Sequence, residues 1–207
     1  MKKRVVILGS GFISANLIKE LNINKISYFL VNRFFCDLSK KKSVKKIKKI
    51  IKPSDIIVFI AAKAPVKNLN MFNENIHILN NVCESLNQKE FRKIIYISSD
   101  AVFIDSKKKI NENSPKNPVS LHGLMHLYRE GVLSSVFKNL TIIRPTLIYG
   151  LDDPHNGYGP NSFIRLAQSD KDINLFGKGE EIRDHINIKN VIDCIVGAIN
   201  KNIYTDN

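Results

Sequence analysis

The feature that most constrains this chain is its beginning, where a continuous apolar run leads into a glycine-rich bend and then into a helical pattern. Residues 5–8 show no polar alternation, which is typical of a strand buried on both faces of a parallel sheet. Gly9 and Gly11 follow where the backbone must turn sharply and approach a pyrophosphate, and Ser14 is small enough for the helix to pack on the strand. The pattern Gly-x-Gly-x-x-Ser therefore predicts a dinucleotide site; the alternative is that the glycines serve the turn alone.

Apolar runs and helical patterns alternate along the rest of the chain. The runs predict strands over residues 5–8, 27–31, 55–62, 92–100 and 140–145, with a further short sheet element at 35–38. The helical patterns lie at about 12–21, 40–52, 70–86, 119–137 and 189–199, and the segments 105–118 and 149–160 are predicted loops. This order predicts an α/β fold with a doubly wound parallel sheet, and a length of 207 residues fits one domain.

The composition is that of a globular protein, with 43% hydrophobic and 25% charged residues. The net charge of +13 is spread along the chain, and the densest lysine run, at 40–52, places Val44, Ile47 and Ile51 at helical spacing. We interpret these lysines as a solvated helix face and expect no nucleic-acid or membrane partner. No apolar stretch approaches the ~20 residues that span a bilayer, and the first residues lead straight into a strand, so a cytoplasmic location is expected. The three widely spaced cysteines indicate neither a disulfide framework nor a zinc motif.

The end of the second strand bears on the choice of cofactor. Asn32 and Arg33 stand where NAD-binding proteins normally carry an acidic residue for the adenosine ribose. A cation there suits a 2′-phosphate, so we expect NAD or NADP with NADP mildly favoured; the alternative is that Arg33 points into water. Ala61 and Ala62 end a later strand, where small side chains let a ligand approach the backbone.

Several short stretches form an ordered set of motifs: Gly11-Phe-Ile-Ser14, Asp37-Leu38, Ala61-Ala62, Ser98-Ser-Asp-Ala-Val-Phe103, Arg144-Pro145, Tyr149-Gly150 and Phe176-Gly-Lys-Gly-Glu-Glu-Ile-Arg-Asp-His185. Together they resemble the extended short-chain dehydrogenase/reductase family of sugar-nucleotide epimerases, dehydratases and reductases, over essentially the whole chain. The resemblance implies one Rossmann domain over 1–207, with substrate-lobe elements in about 146–187. That lobe would be short, either naturally or because the chain is truncated. It also implies NAD(P) as cofactor and a nucleotide-diphosphate sugar as substrate, and a homodimer is a further expectation.

The resemblance also implies a set of site residues. The cofactor contacts are Gly9, Gly11, Phe12, Ile13, Arg33, Asp37, Leu38, Ala61, Ala62 and His126. The substrate contacts are Ser99, Asp100, Asn161 and Arg183, of which Arg183 would hold the diphosphate. The catalytic residues are Ser99, His122 and His126.

The chain departs from the family at the catalytic helix. The pattern Pro-x-x-x-Tyr-Gly-x-x-Lys-x-x-x-Glu runs here from Pro118 to Glu130, with His122 in place of the tyrosine and His126 in place of the lysine. A phenol of pKa about 10 needs a nearby cation to act as a base at pH 7, whereas an imidazole of pKa about 6.5 does not. We therefore expect His122 to exchange the substrate proton and His126 to donate to the nicotinamide ribose.

Three alternatives stay open for this pair. Loss of the tyrosine allows a catalytically inactive dinucleotide-binding protein with a regulatory or structural role. Histidines four residues apart share a helix face and are able to bind zinc, with His155, Asp152 or Asp153 as a third ligand. The pair also fits ordinary polar helix residues beside an empty cleft.

Overall fold

The computed structural model describes residues 3–104, 109–154, 159–175, 177–180 and 182–201. The strands are β1 (Arg4–Leu8), β2 (Ser27–Val31), β3 (Asp55–Phe59), β4 (Lys93–Ile97), β5 (Leu140–Ile143), β6 (Leu147–Tyr149) and β7 (His185–Asn187). The helices are α1 (Phe12–Ile23), α2 (Ser43–Ile50), α3 (Leu69–Leu86), α4 (Leu121–Val136), α5 (Gly159–Gln168) and α6 (Ile188–Asn200), with one 3-10 turn at Asp100–Val102.

The central sheet is parallel and has the strand order β2-β1-β3-β4-β5. Strand β1 lies between β2 and β3, so Val6 pairs with Phe29 on one side and with Ile57 on the other. The chain leaves β1 in one direction along the sheet and returns to its other side, which makes the gap between β1 and β3 the switch point of the topology. In open α/β sheets, ligands bind outside the carboxyl ends of the strands at this point.

Helices cover both faces of the sheet. Val6 and Leu8 point into a cluster that includes residues of α2, α3 and α4, whereas Val5 and Ile7 point into a cluster with α1 and α6. The uninterrupted apolar run of β1 is explained by this double burial, because successive side chains face opposite layers. A second, two-stranded parallel sheet pairs β6 with β7 beyond the end of β5.

The doubly wound parallel sheet is confirmed, but the expected sheet element at 35–38 is wrong. The Asn32 Oδ1 accepts a hydrogen bond from the Phe35 amide at 2.9 Å, and the Asp37 Oδ1 accepts one from the Ser39 amide at 2.9 Å. These side-chain bonds fold the segment into successive turns, which compete with strand pairing.

The segment after β5 contains more regular structure than the sequence predicted. The loop expected over 149–160 begins at the last residue of β6 and ends at the first residues of α5, and residues 155–158 lie outside the described residues. Strands β6 and β7 have three residues each, which is too short for a periodic pattern to develop. No helix in the described ranges is long and apolar enough to cross a membrane.

Candidate active site

A large cleft of about 2010 Å³ opens at the carboxyl ends of the parallel strands. It collects nearly all of the residues that the sequence assigned to a site. Its lining includes Gly9, Gly11, Phe12, Ile13, Arg33, Asp37, Leu38, Ala61, Ala62, Ser99, Asp100, His122, His126 and Arg183. The predicted cofactor, substrate and catalytic groups therefore share one cavity, which spans the switch point between β1 and β3.

The first glycine of the turn is required by the packing of the chain itself. Gly9 has a φ of +111°, and a Cβ added there would lie 2.7 Å from the Cα of Ala61. The Gly9 amide also donates to the Val31 carbonyl at 3.0 Å, which joins the turn to β2. A side chain at Gly9 would therefore push apart β1 and the end of β3.

The second glycine meets no such constraint. Gly11 has extended backbone, with a φ of 171°, and a Cβ added there would meet no atom of the described chain within 4 Å. Ser14 completes the turn, since its Oγ accepts from the Gly11 amide at 2.7 Å and donates to the Gly11 carbonyl at 2.9 Å. The space over Gly11 is part of the cleft, so a side chain there would occupy the room of a ligand and not that of the protein.

The start of α1 fits the diphosphate of a dinucleotide. The first amides of a helix have no carbonyl partner within the helix, and those of Phe12 and Ile13 begin α1 at the cleft wall. The first turn of α1 carries no acidic residue that would repel an anion. Together with the open space over Gly11, these residues fit NAD or NADP, whose diphosphate would bind at this helix terminus.

The far end of the cleft lies at the turns that follow β2. Arg33 is exposed there, and Leu38 is buried. The Ser39 hydroxyl donates to Asp37 at 2.8 Å and, together with the charges of Arg33 and Lys40, lowers the pKa of that carboxyl. The segment therefore presents an exposed cation beside an ionised carboxylate, at the place where the adenosine would lie.

Ser99 lies at the end of β4 and lines the cleft. Its Oγ accepts from the Ala101 amide at 3.2 Å and donates to the Asp100 Oδ1 at 3.1 Å, so it caps the 3-10 turn Asp100–Val102. Ser98, one residue earlier, is buried and donates to Glu130 at 2.6 Å. The Ser98 hydroxyl therefore lies in the core, whereas Ser99 is half-buried and its hydroxyl lies at the cleft.

Helix α4 reaches this strand end through a very close contact. A Cβ added at Gly123 would lie 1.9 Å from the Ala101 carbonyl oxygen and 2.8 Å from the Cβ of Pro118. Only a residue without a side chain lets α4 approach the Asp100–Val102 turn this closely. Gly123 thus brings its neighbour His122 to the wall of the cleft that also carries Ser99.

His122 is a partly buried imidazole that can take a proton. Its Nδ1 is buried and has no hydrogen-bond partner within the described ranges. Burial lowers the pKa of His122 from its ordinary value of 6.5, and the positive charge of Arg129 lowers it further. At neutral pH the ring is therefore uncharged and able to act as a base.

His126 is more deeply buried than His122 and packs against it. Residue His126 is only 4% exposed, and the two imidazole rings meet edge to face with their centres 4.7 Å apart. The Nδ1 of His126 lies 2.7 Å from the hydroxyl of Tyr96, whose pKa burial raises to about 12. Burial lowers the pKa of His126 well below 6.5, and electrostatic interactions with His122 and Arg129 lower this pKa further. The phenol is thus the donor to Nδ1, which leaves the proton of the neutral ring on Nε2.

The sequence did not indicate the polar groups that support this helix. Glu130 accepts two hydrogen bonds from Arg144, at 2.8 and 2.9 Å, in addition to the one from Ser98, and this cluster fixes α4 to the ends of β4 and β5. The sequence analysis also did not associate Tyr96 and Arg129 with the two histidines. Helical spacing offered a signal for Arg129, because residues 122, 126 and 129 lie on one face of a helix.

Of the expected substrate contacts, Asn161 lies in a different setting. Asn161 does not line the cleft among the described residues; it is buried, its Nδ2 donates to Asp153 at 2.7 Å, and its Oδ1 accepts from the Gly150 amide at 3.3 Å. Its amide therefore stabilises the loop before α5. Arg183 is exposed and lines the opposite end of the cleft from Arg33.

The carboxylates considered as zinc ligands are engaged elsewhere. Asp152 pairs with Lys19 at 2.9 Å, and Asp153 bonds to Asn161. His155 lies outside the described residues. Within the described ranges, no three histidine, cysteine or acidic side chains are grouped to hold a metal ion.

The fold and the cleft together define the class of protein. The chain belongs to the NAD dependent epimerase/dehydratase family, whose family model matches residues 5–205. The resemblance inferred from the sequence motifs is thereby confirmed.

Curated relatives lie within the same family of activities. The chain is 26% identical over 211 residues to the GDP-6-deoxy-D-talose 4-dehydrogenase of Aggregatibacter actinomycetemcomitans, with 96% of this chain and 70% of that protein covered. It is 24% identical over 212 residues to the N-acetyl-alpha-D-glucosaminyl-diphospho-ditrans,octacis-undecaprenol 4-epimerase of Escherichia coli, with 94% of this chain and 62% of that protein covered. This chain therefore spans about two thirds of their length.

A solved structure shows the same fold. The UDP-glucose 4-epimerase of Thermus thermophilus, in complex with NAD, superposes with a TM-score of 0.80 at 18% sequence identity. The match covers 95% of this chain and 74% of that chain.

Proposed function

We propose that this protein is an enzyme that transfers a hydride between NAD(P) and a sugar carried on a nucleoside diphosphate, as an epimerase, a dehydratase or an oxidoreductase. One observation carries the proposal: the imidazole of His122, whose Nδ1 has no hydrogen-bond partner in the described part of the chain, lines the same cleft as the dinucleotide turn and the Ser99 strand end. Family membership and the names of the relatives favour this reading over a non-catalytic dinucleotide-binding protein.

The chemistry divides between the cofactor and two side chains. The bound dinucleotide supplies the hydride acceptor or donor. In the oxidative direction, Ser99 hydrogen-bonds the sugar hydroxyl and His122 accepts its proton as the C–H hydride leaves. In the reductive direction, His122 returns that proton to the oxygen. His126, with its proton on Nε2, would donate to the nicotinamide ribose.

The two ends of the cleft suggest how the ligands lie. The exposed cation of Arg33 would face the adenosine ribose, and that of Arg183 would face the substrate diphosphate, since charge-assisted bonds to phosphate exceed neutral ones in strength. For this reason we expect NADP(H) to bind at least as tightly as NAD(H).

The cofactor site can be tested with a substitution that leaves the fold intact but fills the space in which the dinucleotide would bind. Gly11→Val places a side chain in the open space of the cleft, on extended backbone that any residue adopts. We expect the melting temperature to change little while the Kd of both NADH and NADPH rises by at least about tenfold, a loss of about 1.4 kcal/mol. Fluorescence titration of the parent and the variant measures both values.

Two controls complete this experiment. Arg33→Ala should weaken NADPH more than NADH, whereas Lys138→Ala, an exposed cation remote from the cleft, should affect neither. Unchanged dinucleotide affinity in Gly11→Val would contradict the assigned site. A clear NADH preference that survives Arg33→Ala would contradict the assigned role of Arg33.

A further inference from the structure

A buried cation lies beneath the two histidines and has no part in the reaction as described above. Arg129 is completely buried, and no carboxylate pairs with it among the residues that the structure describes. Its Nε has no hydrogen-bond partner in the described ranges, and its guanidinium lies over the ring of Phe59 at 5.2 Å. A buried charge without an anion is costly, so its retention calls for an explanation beyond packing.

The remaining nitrogens of Arg129 connect α4 to the wall of the cleft. One donates to the Ala61 carbonyl at 2.9 Å, and the other donates to the carbonyl and the Oδ1 of Asn75, at 2.7 and 3.0 Å. Asn75 in turn bonds both the amide and the carbonyl of Lys63, at 2.9 and 3.0 Å. Arg129 and Asn75 therefore hold the segment from Ala61 to Lys63, all of which lines the cleft.

This segment supports the dinucleotide turn. The Ala61 amide donates to the Leu8 carbonyl at 2.8 Å, and Ala61 occupies the space against which Gly9 packs. A displacement of Ala61 would therefore also displace the turn that precedes α1. The same guanidinium is thus linked to the histidine helix on one side and to the cofactor edge on the other.

We propose that Arg129 is a positioning residue of this site. Its permanently charged guanidinium holds helix α4, with its two histidines, against the strand end that contacts the dinucleotide turn. Arg129 acts in two ways. Its hydrogen bonds hold the backbone, and its positive charge disfavours protonation of the nearby imidazoles, because a buried cation disfavours a second positive charge nearby. Three further titratable groups face this cluster: Tyr96 on β4 bonds His126, Cys83 on α3 interacts with Arg129, and Glu130 on α4 interacts with Tyr96. This proposal rests on the proposed function, since it assigns Arg129 to that dinucleotide-dependent site.

The test compares Arg129→Met with a matched buried cation. Lys93 is also fully buried and also donates to backbone carbonyls, those of Ala198 and Lys201, but it lies at the amino end of β4, away from the cleft. Both substitutions should lower the melting temperature. Only Arg129→Met should move the pKa of His122 up towards its ordinary value, read by NMR titration of the histidine ring protons in the full chain, and raise the Kd of NAD(P)H by about tenfold.

A second variant covers the case in which Arg129→Met does not fold. Asn75→Asp keeps the oxygen that accepts from Arg129 and places an anion beside it, so it should also raise the pKa of His122. It also removes the Nδ2 donor to the Lys63 and Met71 carbonyls, so we expect it to weaken NAD(P)H as Arg129→Met does. If His122 titrates as in the parent in either Arg129→Met or Asn75→Asp, or if Lys93→Met weakens the dinucleotide equally, the proposal is overturned. The ring titration needs no substrate or cofactor, so a parent chain that binds no dinucleotide would count against the proposed function and leave the titration to decide the role of Arg129.

Discussion

At the scale of single residues, the site is organised by the burial of uncharged imidazoles. His126 accepts from the Tyr96 hydroxyl and is almost fully buried, and the ring of His122 packs edge to face against it at the cleft. Burial lowers the pKa of both rings, most strongly that of His126. A lysine in the position of His126 would carry a fixed charge, whereas the histidine places a neutral donor next to His122.

This burial predicts a dependence of stability on pH. The pKa of His126 is lower in the folded protein than the 6.5 of an exposed ring, so below pH 6.5 the unfolded chain takes up a proton that the folded chain does not. Stability should be fully present above that pH and fall by about 1.4 kcal/mol per pH unit below it, until the folded pKa is reached. Urea unfolding between pH 5 and 8 measures the slope.

A pair of variants assigns that slope. His126→Gln should flatten it, whereas His77→Gln, which changes an exposed histidine on α3, should leave it as in the parent. An unchanged slope in His126→Gln would contradict the account of a buried neutral ring.

At the scale of elements, the critical contact is that of α4 with the end of β4. Helix α4 begins at a Ser120 cap, whose Oγ accepts from the Gly123 amide at 3.1 Å, and Gly123 lets the first turn touch the Ala101 carbonyl. The position of His122 over the cleft depends on this approach, because the two residues are adjacent on the helix.

The two glycines of α4 make a matched test. Gly123→Ala would place a methyl group 1.9 Å from the Ala101 oxygen, so we expect α4 to shift and stability to fall by about 2 kcal/mol or more, with loss of most activity. Gly131→Ala lies on the exposed side of the same helix with no atom within 4 Å and should stabilise the protein by about 0.5–1 kcal/mol. Thermal unfolding compares them. Equal effects of the two substitutions would rule out the close approach as the reason for Gly123.

The elements also explain what the sequence could and could not predict. The core strands were recognisable because each is a mostly apolar run, and the turn after β1 because the backbone geometry at Gly9 requires glycine. The turns at 35–38 were mistaken for a strand because the Asx bonds of Asn32 and Asp37 leave no trace in hydrophobic periodicity. Tyr96, the partner of His126, comes from β4, and Asn75, the partner of Arg129, comes from α3; a single sequence does not pair such distant residues.

At the scale of the whole molecule, the cleft extends across the carboxyl ends of the strands from one side of the sheet to the other. Its lining runs from Arg33, after β2, past the Ser99 strand end, to Arg183, before β7. The net charge of +13 makes the surface as a whole attractive to phosphates, so specific binding must be distinguished from general attraction.

Arg183 provides that distinction. Arg183→Ala should raise the Kd of UDP, GDP or dTDP by about tenfold, as expected for loss of a charge-assisted phosphate contact, and leave the Kd of NAD(P)H unchanged. Arg92→Ala, which removes an exposed cation at the opposite ends of the strands, serves as the control for overall charge. Calorimetric titration at 0.15 M salt limits the long-range contribution. Equal losses in both variants would assign the effect to net charge.

The most direct test is hydride exchange between the cofactor and a nucleotide sugar in the parent chain and in His122→Ala. Across a panel of UDP, GDP and dTDP sugars, from pH 5 to 9, the absorbance of reduced nicotinamide follows net reduction, and chromatography of the sugars follows turnover in which the hydride is returned, as an epimerase or a dehydratase requires. We predict that the parent turns over at least one sugar, with a rate that falls at acid pH through a pKa below 6.5, as burial and Arg129 require of His122. His122→Ala should bind the dinucleotide as the parent does and lose most of the rate. Equal rates in the variant would contradict the role of His122, and the absence of hydride exchange with every sugar at every pH would contradict the proposed activity.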